Sequence, residues 1–136
     1  MISHKTIIRV RYADTDMMQF VYNGKYLEYF EVGRTELLRH FGLAYNELEK
    51  QGYQLPLIEA NLKYKLPAVY DDELEIEAIV EKINTPKLFI KYNVYKKESG
   101  ELLVEGFTEH VFIKTETKKA VRPPKFYIDA LAGYFE

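Results

Sequence analysis

Two aspartates, Asp14 and Asp16, close the segment Tyr12-Ala13-Asp14-Thr15-Asp16, and a helical pattern opens seven residues beyond the second of them, at Asn23. A carboxylate serves as a general base or nucleophile, while a helix start offers free amide hydrogens and partial positive charge to a developing oxyanion. Together they suit acyl transfer. The same residues also read as turn formers, because Asp and Thr side chains bond nearby backbone amides at strand exits. The local pattern leaves both readings open.

The elements that must hold these groups follow from periodicity. Ile7 to Tyr12 alternates after its first step, a strand with Ile8, Val10 and Tyr12 on one side and the carboxylates at its exit. From Gly24 to Phe41 the spacing becomes helical, with Tyr26, Phe30, Gly33, Leu37 and Phe41 on one stripe. Asn23 is placed to cap the first turn, and Gly42 follows the last stripe residue. Gly33 costs a helix about 1 kcal/mol against Ala, which predicts a close approach to something packed on that face. Ala44 to Gln51 predicts one or two further turns before Gly52. A run of strands comes next. Ile58, Ala60, Leu62 and Tyr64 share one face; Pro67 breaks that strand; Leu74, Ile76, Ala78 and Val80 form a second apolar face; Leu88, Ile90, Tyr92 and Val94 form a third. Glu98-Ser99-Gly100-Glu101 reads as a hairpin loop, Leu102 to Lys114 as a fourth run completing a meander, and Phe126 to Phe135 as a short terminal helix. This order predicts an α+β fold, one long central helix wrapped by a five-stranded antiparallel sheet.

At 136 residues the chain has the length of a single domain, residues 1–136, able to bury a real core. With 12 Tyr and 8 Phe, rings are numerous enough to line a pocket or a subunit contact as well as the core. A net charge of -2 lacks the basic excess that phosphate-backbone binding needs, so nucleic acid is not an expected partner. The absence of cysteine excludes disulfides, thiolate catalysis and Cys metal sites. Met1-Ile2-Ser3-His4-Lys5 leads into no signal-like apolar stretch and no run is long enough to span a bilayer, which makes a cytoplasmic protein the expectation.

Other combinations carry less. His4, His40 and His110 are scattered, so no metal site is expected, and Ser99 has no His at a triad-like distance. Glu31 and Arg34, three apart, predict a surface ion pair, or else a Glu31 that orients the acidic loop. Asp-x-Asp after a strand also begins the haloacid-dehalogenase pattern of phosphoryl transfer, with Asp71-Asp72 as its metal acids. Met18 stands where that pattern has Thr or Val, and the later strands lack the helices a parallel sheet requires.

A family resemblance rests on three stretches: Arg11 to Asp16, Val21-Tyr22-Asn23-Gly24-Lys25-Tyr26-Leu27, and Phe30-Glu31-Val32-Gly33-Arg34-Thr35-Glu36. They resemble the hotdog-fold acyl-CoA thioesterases of the 4-hydroxybenzoyl-CoA thioesterase type, including those similar to the Tol-Pal-associated thioesterase. The likeness continues through Leu55-Pro56-Leu57 and Tyr64 to Asp72, and spans about Thr6 to Thr115. It implies Asp16 as the catalytic carboxylate and the backbone amide of Asn23 as the oxyanion donor, with Gln19, Tyr22 and Tyr64 on the substrate-binding surface. It implies an acyl-CoA substrate, dimers whose sheets join edge to edge, often paired into homotetramers, sites between subunits, and CoA phosphates near surface Lys or Arg. Many relatives carry Gly in place of Gln19, which would narrow or reshape the acyl slot here, and His or Pro in place of Asn23.

The expected activity is hydrolysis of an acyl-CoA thioester to free acid and CoA, with no metal or redox cofactor required. The alternative is a non-catalytic hotdog domain that binds an acyl or aromatic thioester or acts as a scaffold. An acyl-thioester hydratase, the third reading, relies on a His with an acidic partner, and no His stands near the acidic loop.

Overall fold

A computed structural model describes residues 1–135. The first alternation folds as β1 (Ile2–Arg9), and β4 (Glu73–Val80) pairs with it antiparallel from Ile2 opposite Val80 to Arg9 opposite Glu73. That pairing sets the strand's limits. Tyr12, expected to face inward with Ile8 and Val10, lies beyond them in a 3-10 turn over Tyr12–Asp14 and is 79% exposed.

The long helix α1 spans Lys25–His40, and Tyr26, Phe30, Gly33 and Leu37 are buried as the stripe predicts, with Tyr29 and Leu38 beside them. Phe41 falls after its end and is only partly buried. Asn23 does not cap it. The cap position is Gly24, whose φ of -68° and ψ of -20° are already helical, and no side chain bonds the first-turn amides there. Gly33 has the expected packing reason: a Cβ at that position would stand 2.8 Å from Ile76 Cγ2 on β4. Phe30 stacks flat on Tyr92, ring centroids 4.1 Å apart, and fixes the middle of the helix on the sheet.

The main sheet has the order β1-β4-β5-β6-β3, where β3 is Leu57–Tyr64, β5 is Leu88–Lys96 and β6 is Leu102–His110. All neighbouring pairs are antiparallel. Leu74, Ile76, Ala78 and Val80 on β4 and Leu88, Ile90, Tyr92 and Val94 on β5 are buried against α1. Each large side chain so covered contributes about 1.5–3 kcal/mol, so the helix–sheet interface dominates the stability of the fold.

Two parts of the expected meander differ. Only β4, β5 and β6 follow one another across the sheet; β3 sits on the far edge beside β6. The chain must therefore cross the end of the sheet between β3 and β4, and residues 65–72 make that crossing beside the acidic loop. The fourth run also divides at Val111, because β7 (Phe112–Lys114) leaves the main sheet and pairs with β2 (Tyr53–Gln54) and β8 (Ala120–Val121). A short helix α2 (Tyr45–Lys50) precedes β2. The terminal helix α3 (Lys125–Ala132) buries Tyr127 and Leu131, with the Tyr127 ring 4.8 Å from that of Phe112. β3 is one of the two edge strands, with β1, and differs from every other strand of the main sheet in having no fully buried residue.

Candidate active site

Beyond β1 the chain is tied at once to the crossing segment. Val10 donates to the Asp72 carbonyl at 2.9 Å and accepts from the Asp71 amide at 3.0 Å. Asp71 and Asp72, read as possible metal acids, are employed here in other ways. The Asp72 carboxylate accepts the Val69 amide at 3.0 Å, and Asp71 faces Arg9 at 3.4 Å.

After the 3-10 turn, residues 15–21 double back as a tight hairpin, with Thr15 bridging Val21 and the Asp16 amide donating to the Phe20 carbonyl at 2.8 Å. The Asp16 carboxylate accepts the Met18 amide at 2.9 Å and the Phe20 amide at 3.4 Å. It both shapes the turn and keeps part of its surface open. Asp14 is 3% exposed. It accepts from the Arg11 amide at 3.1 Å, the Arg11 guanidinium at 3.1 Å and the Tyr29 hydroxyl at 2.9 Å, and Lys25 Nζ lies 3.6 Å away. Burial alone would raise its pKa, but these donors together hold it below the ordinary 3.8. Asp14 is thus a permanent anion that fastens the loop to α1, the task that sequence reasoning offered to Glu31.

The turn into α1 has an unusual hydrogen-bond pattern. The Tyr22 amide donates to the Asp14 carbonyl at 2.9 Å, the Tyr22 carbonyl accepts the Lys25 amide at 2.9 Å, and the Asn23 carbonyl accepts the Tyr64 hydroxyl at 3.1 Å. The Asn23 N–H has no acceptor among the described residues. Asn23 and Asp16 line one recess of about 280 Å³ with Tyr64 and Lys65; its apolar wall is Met18, Phe20, Val21, Tyr26, Leu66 and Pro67. Burial pushes the Tyr26 hydroxyl up to about 12, so it stays protonated at neutral pH.

The profile of the Thioesterase-like superfamily matches residues 10–131. The chain belongs to that superfamily. It is 34% identical over 130 residues to "Putative acyl-CoA thioesterase YneP" of Bacillus subtilis (strain 168), covering 96% of this chain and 94% of that one. DHNA-CoA thioesterase from Staphylococcus aureus superposes with a TM-score of 0.90 at 34% identity, covering 98% of this chain and 89% of that one. A 4-hydroxybenzoyl CoA thioesterase mutant complexed with 4-hydroxybenzoyl CoA gives 0.85 at 19% identity over 96% and 99% of the two chains, a likeness of fold. The helix wrapped in a five-stranded antiparallel sheet is the hotdog fold.

In this thioesterase-like chain, Asp16, Asn23 and Tyr64 come together, whereas Gln19 and Tyr22 do not line the recess. Gln19 stands at the hairpin tip with φ at 68°, the left-handed region that glycine adopts freely. In this chain the backbone alone favours glycine at that position. Tyr22 is 58% exposed and contributes its main chain to the turn. Glu31 and Arg34 form no ion pair among the described residues; Glu31 is exposed, and the Arg34 guanidinium is near enough to the buried Tyr92 hydroxyl to oppose the rise in pKa that burial causes. No group of three or more His, Asp or Glu suited to a metal occurs among the described residues. Two parts of the wall escaped the sequence reading. Tyr26 looked like core alone, and it is core and wall at once. Lys65-Leu66-Pro67 stands in the sequence as a strand break within a stretch of family likeness, with no site role attached, and Pro67 is the signal that the chain turns there to cross the sheet end.

Proposed function

We propose that the recess hydrolyses an acyl-CoA thioester to the free acid and CoA. The observation that carries this reading is the pairing, in one apolar recess, of a partly open carboxylate and a helix-start amide without an acceptor. The thioester carbonyl oxygen takes the Asn23 N–H, whose donation strengthens as the carbonyl becomes tetrahedral. Asp16 either attacks the carbonyl carbon directly, giving an acyl anhydride that water then cleaves, or removes a proton from an attacking water. On either route the C–S bond breaks, the CoA sulfur leaves as thiolate and takes a proton, and the acid departs. Tyr64 and the apolar wall accommodate the acyl group near the thioester, and Lys65 at the rim suits a CoA phosphate.

The test is thiol release from benzoyl-, 4-hydroxybenzoyl-, octanoyl- and palmitoyl-CoA. Asp16→Asn keeps the shape of the side chain and should lower kcat at least about 100-fold, the scale of losing one strong transition-state contact. Equal turnover by both proteins would remove Asp16 from the mechanism. Saturable binding of an ester with no turnover by wild type would make the chain a thioester-binding domain instead.

The same reading includes a homodimer, and pairs of dimers, in the cytoplasm, where CoA esters occur. β3 has a free outer edge and three large exposed apolar side chains, Leu57, Ile58 and Tyr64. An unpaired edge of this kind is a template for another strand, and a second copy of β3 continues the sheet. Light scattering should give a mass of two or four chains; a monomer that turns over thioesters at full rate would overturn shared sites.

A further inference from the structure

We propose that Tyr64 is a positioning residue for the oxyanion site: its hydroxyl holds the Asn23–Gly24 peptide plane and so keeps the Asn23 carbonyl turned away from the oxygen that the Asn23 N–H receives; this rests on the hydrolytic reading above. The Asn23 carbonyl lies just outside α1, where no helical amide returns to it, and the Tyr64 hydroxyl is the donor that satisfies it at 3.1 Å. The next residue is Gly24. Without a Cβ, Gly24 lets the Asn23–Gly24 peptide plane rotate at little cost, and rotation would turn a carbonyl oxygen toward the place where negative charge develops. The Asn23 N–H belongs to the Tyr22–Asn23 plane, which Lys25 fixes through the Tyr22 carbonyl, and the Tyr22 N–H is fixed by the Asp14 carbonyl. The phenol therefore restrains the one plane that the backbone leaves free.

Its own placement is firm on one side and open on the other. The Tyr64 ring packs edge-on against the buried Tyr26, centroids 5.8 Å apart, while the residue as a whole is 49% exposed. Desolvation, then the neighbouring Tyr22, raise the hydroxyl's pKa, so it remains a donor at neutral pH. Because Tyr64 ends the edge strand β3, it also links the geometry of that edge to the oxyanion turn.

The role separates from simple substrate contact by kinetics. Tyr64→Phe keeps the ring, the packing on Tyr26 and the apolar surface, and removes only the hydroxyl. The positioning role predicts a fall in kcat of about 10-fold, with KM changed by less than about twofold, because the lost restraint matters once charge builds on the oxygen. A raised KM with wild-type kcat would make Tyr64 a substrate contact and overturn the inference, and so would wild-type values for both. Thermal unfolding of the variant beside wild type checks that the fold is intact, and Tyr64→Leu, which also loses the ring, should add a KM defect to the kcat loss. If Asp16→Asn is inactive while Tyr64→Phe is indistinguishable from wild type, this inference alone fails. If Asp16→Asn is fully active, the hydrolytic reading fails first.

Discussion

Asp16 and His110 stand near opposite ends of β3, about 23 Å apart by the rise of an extended strand, and their surroundings put their side chains to opposite uses. His110 is 1% exposed in a polar strip beneath α1. Its Nδ1 donates to the Leu55 carbonyl at 3.3 Å, so its Nε2 accepts from the Thr108 hydroxyl at 2.9 Å, and Thr108 in turn accepts from Tyr92 at 2.7 Å. Every polar group in that chain is satisfied, and none is free to meet a substrate. Asp16 has two backbone donors and a recess in front of it. The residue type best suited to proton transfer at neutral pH is consumed by structure, and a plain carboxylate is left available. Availability of the group and of a donor beside it, more than side-chain type, is the ground on which Asp16 is proposed.

Crossing two substitutions tests the contrast. Asp16→Asn should remove turnover by at least about 100-fold while shifting Tm by no more than about 2 °C, since the half-exposed charge is lost but the amide oxygen can still accept from the Met18 and Phe20 amides. His110→Gln should do the reverse. It leaves a hydrogen-bonding side chain of different shape in a closed strip and should cost about 2 kcal/mol of stability, with folded protein still hydrolysing thioesters. Loss of turnover in folded His110→Gln would show that the strip reaches the chemistry and would break the comparison.

The strip also predicts a pH dependence of stability. Burial, then the Arg34 guanidinium, lower the His110 pKa from 6.5 to about 4. The unfolded chain therefore takes up a proton at a higher pH than the folded one. The stabilisation is complete above about 6.5 and is lost as pH falls toward 4, an effect of up to about 3 kcal/mol. Urea unfolding at pH 7, 5.5 and 4 should show this slope in wild type and a shallower one in His110→Gln. Asp14, whose pKa is lowered below 3.8, acts in the same direction but only in more acid solution, so the two windows separate. Equal slopes in both proteins would mean that His110 titrates normally and that the strip is open to water.

How much of this was legible in the sequence depends on which force decides each feature. The α1 stripe, the buried faces of β4 and β5 and the close approach at Gly33 were readable because burial imprints a period on the chain. That Asp16 and Asn23 lie on one recess was readable because a strand exit and a helix start are both local signals, and the proposal of a reactive pair over a plain turn leans on family resemblance. Pairing partners left no such trace. The edge position of β3, the departure of β7 into a second sheet and the wall built from Lys65 to Pro67 all depend on which strand lies next to which. The Asn23 cap failed for a related reason: with the Asn23 carbonyl held by Tyr64 and Gly24 already helical, the turn is set by a contact 41 residues away in sequence.

Gln19 supplies the finest test, because two explanations of one residue give different outcomes. At φ 68° a side chain with a Cβ costs about 1 kcal/mol or more relative to glycine, partly offset by the larger entropy a glycine loses on folding. Gln19→Gly should therefore stabilise the fold by about 0.5 kcal/mol, seen as a small rise in Tm. Gln19 is not part of the recess wall, so the order of preference among the four acyl-CoA esters should stay that of wild type. A reordering in favour of bulkier acyl groups would mean that Gln19 does narrow the slot. It would also mean that the hairpin tip rearranges over bound substrate, placing Gln19 on the reactive side of the comparison.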